Sequence, residues 1–524
     1  MEERVPNGTG TNGAEALLRT VAAAGVEVCF ANPGTTELPL VTGLDRVPEI
    51  RAVLGLFEGV CTGAADGYAR MTGTPALTLL HLGPGLANGL ANLHNARRAG
   101  SPVVNLVGEH ASGHRPHDPA LASDIGLLAD WASGWVRTSA SSAALAVDGA
   151  EAIAAAATGR VATLIVPAEC QWGPGEPASP VPVPRPAPVP EEPVAAAATA
   201  LSRGGTGSML LLGGPALAEA GIRAAARIAA ATGARLMTET FPARAEWGRG
   251  LPAPPRLPYF PEQARAALDG VGELVVAGAR APVAFFGYPG EPSSTVPQGA
   301  AVSILAGAAQ DGAQDVVGAL ERLADRLRAH GVAVPSLPEP TPPSGALTPE
   351  TLAAAVAARL PDGAVVVDEG ATTTLGYLAQ AAAAPRHTVL GHVGGAIGQG
   401  IPVAVGAAIA APERPVVALQ ADGSGLYTVQ ALWTQARENL DITTVVCANH
   451  GYRILQVELA RAGQGQLGPA AAALTDLGDP RIDWVSLAGG LGVPARPVGT
   501  SEELTAGLEW ALAESGPHLL QATL

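Results

Sequence analysis

Asp422 and Asn449 stand 27 residues apart, each at the end of an apolar run, RPVVALQ and ITTVVCA. That interval suits a strand, a helix and a second parallel strand, which would return Asn449 beside Asp422 at one sheet edge. A carboxylate and an amide carbonyl are hard oxygen donors of the kind Mg²⁺ prefers. Gly423 would let a diphosphate approach the main chain. Ser424 and the following helix start offer donors to anionic oxygen. Two further residues have the chemistry to act on a bound molecule. Glu58 follows the apolar run LGLF and precedes the small-residue segment GVCTGAADGYAR. His81 ends PALTLLH and precedes Gly83-Pro84-Gly85, and an imidazole there can relay protons near neutral pH. The chain has no lysine, so all 31 Lys or Arg positions are Arg. Schiff-base chemistry, ordinary pyridoxal phosphate catalysis and a Walker A loop are thereby excluded. Phosphate must be held by backbone amides, hydroxyls, Arg or a metal.

The elements that would position these residues follow from the apolar pattern. With 524 residues, 48% of them hydrophobic, the chain can build several cores, and with only 4% aromatics those cores must be mostly Ala, Val and Leu. Short continuous apolar runs alternate with Ala-rich helical stretches. Continuous rather than alternating runs indicate strands covered on both faces. The fold expected is α/β, with three doubly wound parallel-sheet domains. Two Pro-rich segments, Gly173 to Pro193 and Val334 to Glu350, divide it into blocks 10–172, 194–333 and 347–524. Thr348-Pro349 is an expected helix N-cap and first-turn proline. A short apolar strand is expected to end in Glu58. Ligands of such sheets sit at the carboxyl ends of strands, where Asp422, Asn449 and His81 all fall.

The formal net charge of −16 argues against nucleic acid as a partner. No apolar stretch is long enough for a membrane span, and the polar start MEERVPNGTGTNG lacks a signal-peptide core, so a soluble cytoplasmic protein is expected. Cys29, Cys61, Cys170 and Cys447 are far apart and read as buried thiols.

Ala421 to Tyr452 resembles the thiamine-diphosphate motif of the superfamily that includes pyruvate decarboxylase, benzoylformate decarboxylase and acetolactate synthase. That motif is Gly-Asp-Gly, then a helix, then Asn-Asn. Ala421 and Ala448 replace its first Gly and first Asn, and neither position supplies a ligand. The resemblance implies thiamine diphosphate and Mg²⁺ as cofactors. Asp422, Asn449 and the Gly451 carbonyl would ligate the metal, and Gly423, Ser424 and Tyr452 would line the cofactor. Glu58, followed by Gly67-Tyr68-Ala69-Arg70, matches the carboxylate that activates the aminopyrimidine at N1′. In GGAIGQGIPVAVG, Ile397 matches the bulky residue beneath the bent cofactor and Gly395 the carbonyl that meets its 4′-amino group. Thr372 in DEGATTT would meet the diphosphate.

On the substrate side, His81 and Thr35 match active-site positions of benzoylformate decarboxylase. Leu455 and Glu458 are candidates for the substrate cavity. His110, His114 and His117 read as a polar lid loop. Arg280-Ala281-Pro282 replaces the signature of FAD-binding members, which argues against FAD. The activity implied is non-oxidative decarboxylation of a 2-oxo acid, the enamine then being either protonated to an aldehyde or joined to a second carbonyl as in acetolactate synthase, two outcomes that the sequence leaves open. The rivals are a flavin-linked oxidase and a non-catalytic regulatory paralogue. A homodimer or homotetramer with sites at the subunit interface is also implied.

Overall fold

The structure, a computed structural model, describes residues 11–183, 185–308, 313–463, 465 and 467–524. Most of the polar start, Met1 to Gly10, lies outside them, as do Pro184 in the first linker and residues 309–312 in the middle block.

Three sheets organise the described residues. The first holds β1 (Val28–Asn32), β2 (Arg51–Leu54), β3 (Ala76–Leu80), β4 (Val103–Glu109), β5 (Trp135–Thr138) and β6 (Val161–Pro167), all parallel, in the order β2-β1-β3-β4-β6-β5. The second holds β7 (Ser208–Leu212), β8 (Arg235–Thr238), β10 (Glu273–Ala277) and β11 (Ala301–Ala306), also parallel, in the order β11-β10-β7-β8. Between them in sequence, β9 (Ala245–Trp247) leaves the middle block and joins the third sheet. That sheet adds β12 (Val365–Glu369), β13 (His387–Gly391), β14 (Val416–Ala421), β15 (Ile442–Ala448), β16 (Ala495–Val498) and β17 (His518–Thr523), in the order β16-β17-β15-β14-β12-β13-β9. Every pairing in it is parallel except β9, which runs antiparallel to β13 at the edge. The α/β class is as the apolar pattern indicated, and β3, β4, β6 and β15 are buried along their whole length. The antiparallel edge strand was not legible, because β9 is only AEW and owes its place to its partner.

The first and third sheets are joined through two helices, Glu58–Thr72 and Gly400–Ala410. Both are nearly buried all round and cross at contact distance. A Cβ on Gly406 would lie 1.9 Å from the Ala64 carbonyl oxygen, and one on Gly67 would lie 2.2 Å from that of Val403. Only glycine lets the two backbones approach this closely. Beneath the crossing, Arg70 pairs with Asp66, both side chains being almost wholly buried. Asp66 also accepts from Ser101 Oγ and from Gln399 Nε2, and Arg70 donates to the Gly391 carbonyl. Those bonds satisfy a charge pair that burial would otherwise penalise. The third-block helix Pro349–Arg359 starts as expected, with Thr348 capping Thr351 N.

Candidate functional site

The expected strand into Glu58 stops earlier, at Leu54. Gly55 N makes the last bond to β1, through Ala31 O. Phe57 is then the extended N-cap, and Glu58 is the first residue of its helix. This places a carboxylate at the positive end of a helix dipole. Glu58 is half-buried, and its Oε2 accepts from Asn88 Nδ2 at 2.9 Å. Its Oε1 faces Gly85, where a Cβ would come within 3.1 Å; the same Cβ would lie 3.4 Å from His81 Cβ. Glu58 and His81 therefore flank one glycine at the start of the Leu82–Ala99 helix. His81 Nδ1 lies 2.8 Å from Glu37 Oε2, and Glu37 is completely buried. Thr35 is exposed in the same short turn, Thr35–Glu37.

The second group forms at the carboxyl end of the third sheet. β14 and β15 pair in parallel with Ala421 opposite Cys447, which brings Asp422 and Asn449 to one edge as the spacing required. Asp422 is 2% exposed; its Oδ1 accepts from Gly423 N at 2.8 Å and its Oδ2 from His450 N at 2.7 Å. Burial pushes its carboxyl above the usual aspartate range. Asn449 Oδ1 accepts from Gly451 N at 3.1 Å. Between them His450 takes φ +55, a left-handed conformation that costs a non-glycine residue about 1–3 kcal/mol. The turn is braced by Leu477 N to His450 O and by Tyr452 N to Thr475 O. The Tyr452 ring lies over Gly423, where a Cβ would come within 2.8 Å. Ser424 receives Gln420 Nε2 at 2.6 Å.

The loop carrying Gly395 and Ile397 is pinned from two sides. Glu369, at the end of β12, accepts from Gly398 N at 2.7 Å and from Gly400 N. Burial alone would raise the Glu369 carboxyl, but His392 and those two amides hold it below its ordinary range. From the Leu82–Ala99 helix, Asn95 donates to Ala396 O and accepts from Ala396 N, while Asn92 donates to both Gly59 O and Gly398 O. Thr428 Oγ1 also donates to Gly398 O, tying the loop to the helical turn after Asp422. Thr372 is half-buried in the short Ala371–Thr373 turn after β12, next to the end of β14.

The structure thus gathers the sequence candidates into two groups. Gly395, Ile397, Asp422, Gly423, Ser424, Asn449, Gly451 and Tyr452 form one, with Thr372 beside it. Thr35, Glu58 and His81 form the other. Among the described residues, no hydrogen bond or ion pair joins the Glu58 carboxylate to the Asp422 group. Leu455 is 47% exposed. Glu458 is held by Tyr288 Oη at 3.1 Å and by Arg461 at 2.7 Å. His110, His114 and His117 form a row of rings, with centroids 5.6 and 6.2 Å apart. Glu37, Asn88, Asn92, Asn95 and Glu369 were not singled out from sequence. Glu37 stands two residues from Thr35, and Glu369 lies inside the DEGATTT segment, but neither has a spacing that announces its partner.

Two family domains match this chain, the thiamine pyrophosphate enzyme N-terminal TPP binding domain over residues 11–125 and the C-terminal TPP binding domain over residues 368–522. The chain belongs to the thiamine pyrophosphate enzyme family. It is 52% identical over 516 residues to the Mycobacterium tuberculosis protein named "Putative acetolactate synthase large subunit IlvX", covering 98% of this chain and 99% of that one. It is 29% identical to the benzoylformate decarboxylase of Pseudomonas aeruginosa, over 95% of this chain and 96% of that one. Among solved structures it resembles the thiamine diphosphate-dependent 4-hydroxybenzoylformate decarboxylase of Rhodococcus jostii RHA1, with a TM-score of 0.84, 25% identity and coverage of 98% and 99%. Thiamine diphosphate is the family's cofactor, and its two binding domains are the two that carry the groups described above. The residues present fit it. Asp422 is a buried carboxylate whose hydrogen bonds are to backbone N–H alone, an arrangement that leaves lone pairs for a cation. No helix of the described residues is long and apolar enough to cross a membrane.

Proposed function

We propose that this enzyme decarboxylates a 2-oxo acid without oxidation, and that the same chemistry allows carboligation to a second carbonyl compound. The observation that carries this reading is the placement of Glu58 and His81 on either side of Gly85. A carboxylate that can hold a proton at the pyrimidine N1′ then stands next to an imidazole that can deliver one to product. Bound thiamine diphosphate supplies a carbon nucleophile and an electron sink for the bond to CO₂. Asp422, Asn449 and the Gly451 carbonyl would hold Mg²⁺, which offsets the diphosphate charge in a chain without lysine. Thr372 and Ser424 are the hydroxyls available to that diphosphate. Ile397, on a loop fixed by Glu369 and Asn95, would set the cofactor's bend, and the Gly395 carbonyl would receive the 4′-amino group. Glu58, at its helix N-terminus and bonded to Asn88, would exchange the proton at N1′. His81 Nε2, the nitrogen not engaged by Glu37, would act as general acid.

An aryl substrate is favoured by one feature. The Phe285 ring lies against Gly395, 2.9 Å from where a Cβ would sit. It continues through edge and tilted contacts into Phe241, Tyr259, Phe286 and Phe260. Four of the chain's six phenylalanines are in that cluster. An aromatic wall beside the reacting centre suits an arylglyoxylate better than pyruvate.

A homodimer or homotetramer that completes the site from two chains is consistent with the two separate groups. Their rims are apolar and open: Leu56 is 45% exposed beside Glu58, and Tyr427 is 55% exposed beside the metal turn.

The test is CO₂ release and product analysis with purified enzyme, Mg²⁺ and thiamine diphosphate on pyruvate and benzoylformate. Aldehyde from benzoylformate supports the reading, and acetolactate from pyruvate would shift it to carboligation. No CO₂ from any member of a broad 2-oxo acid panel would overturn it.

A further inference from the structure

Glu37 is 0% exposed, yet among the described residues its carboxylate forms no ion pair with an Arg. Its partners are the Gly34 N–H at 2.8 Å, the Thr36 hydroxyl at 2.5 Å and His81 Nδ1 at 2.8 Å, with Thr36 Oγ1 also 3.4 Å from that nitrogen. Room for the pair is made by two glycines. A Cβ on Gly108 would fall 1.6 Å from Glu37 Oε1, and one on Gly34 would fall 2.2 Å from His81 Nδ1. The Gln171 side chain closes the far side by donating to Thr36 O at 2.9 Å.

We propose that Glu37 is the positioning residue of the active site: it fixes His81 in the tautomer that carries hydrogen on Nδ1 and so turns Nε2 toward the reacting centre. This rests on the decarboxylase reading above. An ionised carboxylate can only accept, so the Nδ1 it touches must donate. The remaining nitrogen is then the one that takes up and releases protons. His81 Nδ1 meets Glu37 deep in the fold while the side chain is 26% exposed, so its free edge is the one open to substrate. The same division of labour operates wherever a buried carboxylate orients a catalytic imidazole, and loss of the correct tautomer there removes most of the rate. A purely structural Glu37 would instead cap the turn through Gly34 N and leave His81 indifferent to its charge.

Glu37→Gln separates the two. The amide is nearly isosteric but can donate as well as accept, so it no longer selects a tautomer. Solid-state ¹⁵N spectra of histidine-labelled protein, with His81→Gln as the assignment control, should show Nδ1 of His81 protonated in the parent and a mixed or reversed pattern in the variant. kcat should fall about 10²- to 10⁴-fold with KM little changed, while thermal stability and cofactor binding stay close to the parent. Gly108→Ala, which leaves the carboxylate in place chemically but pushes it out sterically, should give the same spectral change and serves if Glu37→Gln does not fold. An unchanged His81 spectrum with unchanged kcat overturns the proposal. The spectrum needs no substrate. If the parent turns over no 2-oxo acid, the decarboxylase reading fails on its own while the spectrum still decides the role of Glu37.

Discussion

Glu369 Oε1 accepts the N–H of Gly398 at 2.7 Å, and its second oxygen accepts that of Gly400. One buried carboxylate at the end of β12 therefore clamps the loop that presents Ile397. Glu369→Ala should leave two buried amides without partners, at about 1–3 kcal/mol for each. Hydrogen exchange at Gly398 and Gly400 should accelerate, and thiamine diphosphate affinity should fall. Unaltered exchange at both amides would show that Asn92 and Asn95 hold the loop without it.

Glu58→Gln should bind thiamine diphosphate and Mg²⁺ within a few-fold of the parent. Turnover should drop by at least about 10²-fold, because a neutral amide cannot exchange the proton at N1′. Calorimetry and single-turnover CO₂ release check the two halves. Full activity in the variant would remove Glu58 from the mechanism.

Asp422→Ala should abolish Mg²⁺-dependent cofactor binding by calorimetry. The apo-protein should also lose stability, by about 1–3 kcal/mol, since the change leaves the Gly423 and His450 amides without their acceptor. Cofactor affinity equal to the parent's would exclude Asp422 as a metal ligand.

His81→Ala should slow product formation by about 10²-fold while leaving cofactor binding intact, as for loss of a general acid–base group. Pre-steady-state measurement would show whether CO₂ loss or protonation is the slowed step. Unaltered kinetics would make His81 a helix N-cap and nothing more.

Glu239 offers a pH test away from the site. Burial pushes its carboxyl up to about 7, against one bond from Gly214 N. Between its ordinary value and about 7 the folded protein binds more protons than the unfolded chain, so stability falls as pH rises through that window and levels off above it. The side chain is partly exposed, which limits the effect to about 1–2 kcal/mol. Glu239→Gln should match the parent near pH 4.5, the ordinary value for a glutamate, and be more stable at pH 8. Equal melting temperatures at pH 8 would contradict the assigned shift.

The sequence by itself determined the α/β class and the adjacency of Asp422 and Asn449, and it offered the candidates for a diphosphate, a metal and an acid–base pair. Those features depend on local pattern: continuous apolar runs mark covered parallel strands, and a fixed crossover length returns one strand end beside another. The tertiary structure decided the rest. Strand β2 ends before Glu58 because Gly55 makes the last ladder bond, which puts the carboxylate on a helix instead. β9 joins a sheet that belongs to a later part of the chain. Glu37 meets His81 across 44 residues and Glu369 meets Gly398 across 29. Glu458, which the sequence offered to substrate, is engaged by Arg461 and Tyr288. Each of these is a pairing of side chains or strand edges from separate segments. No periodicity encodes such a pairing, because its geometry exists only once the segments have packed.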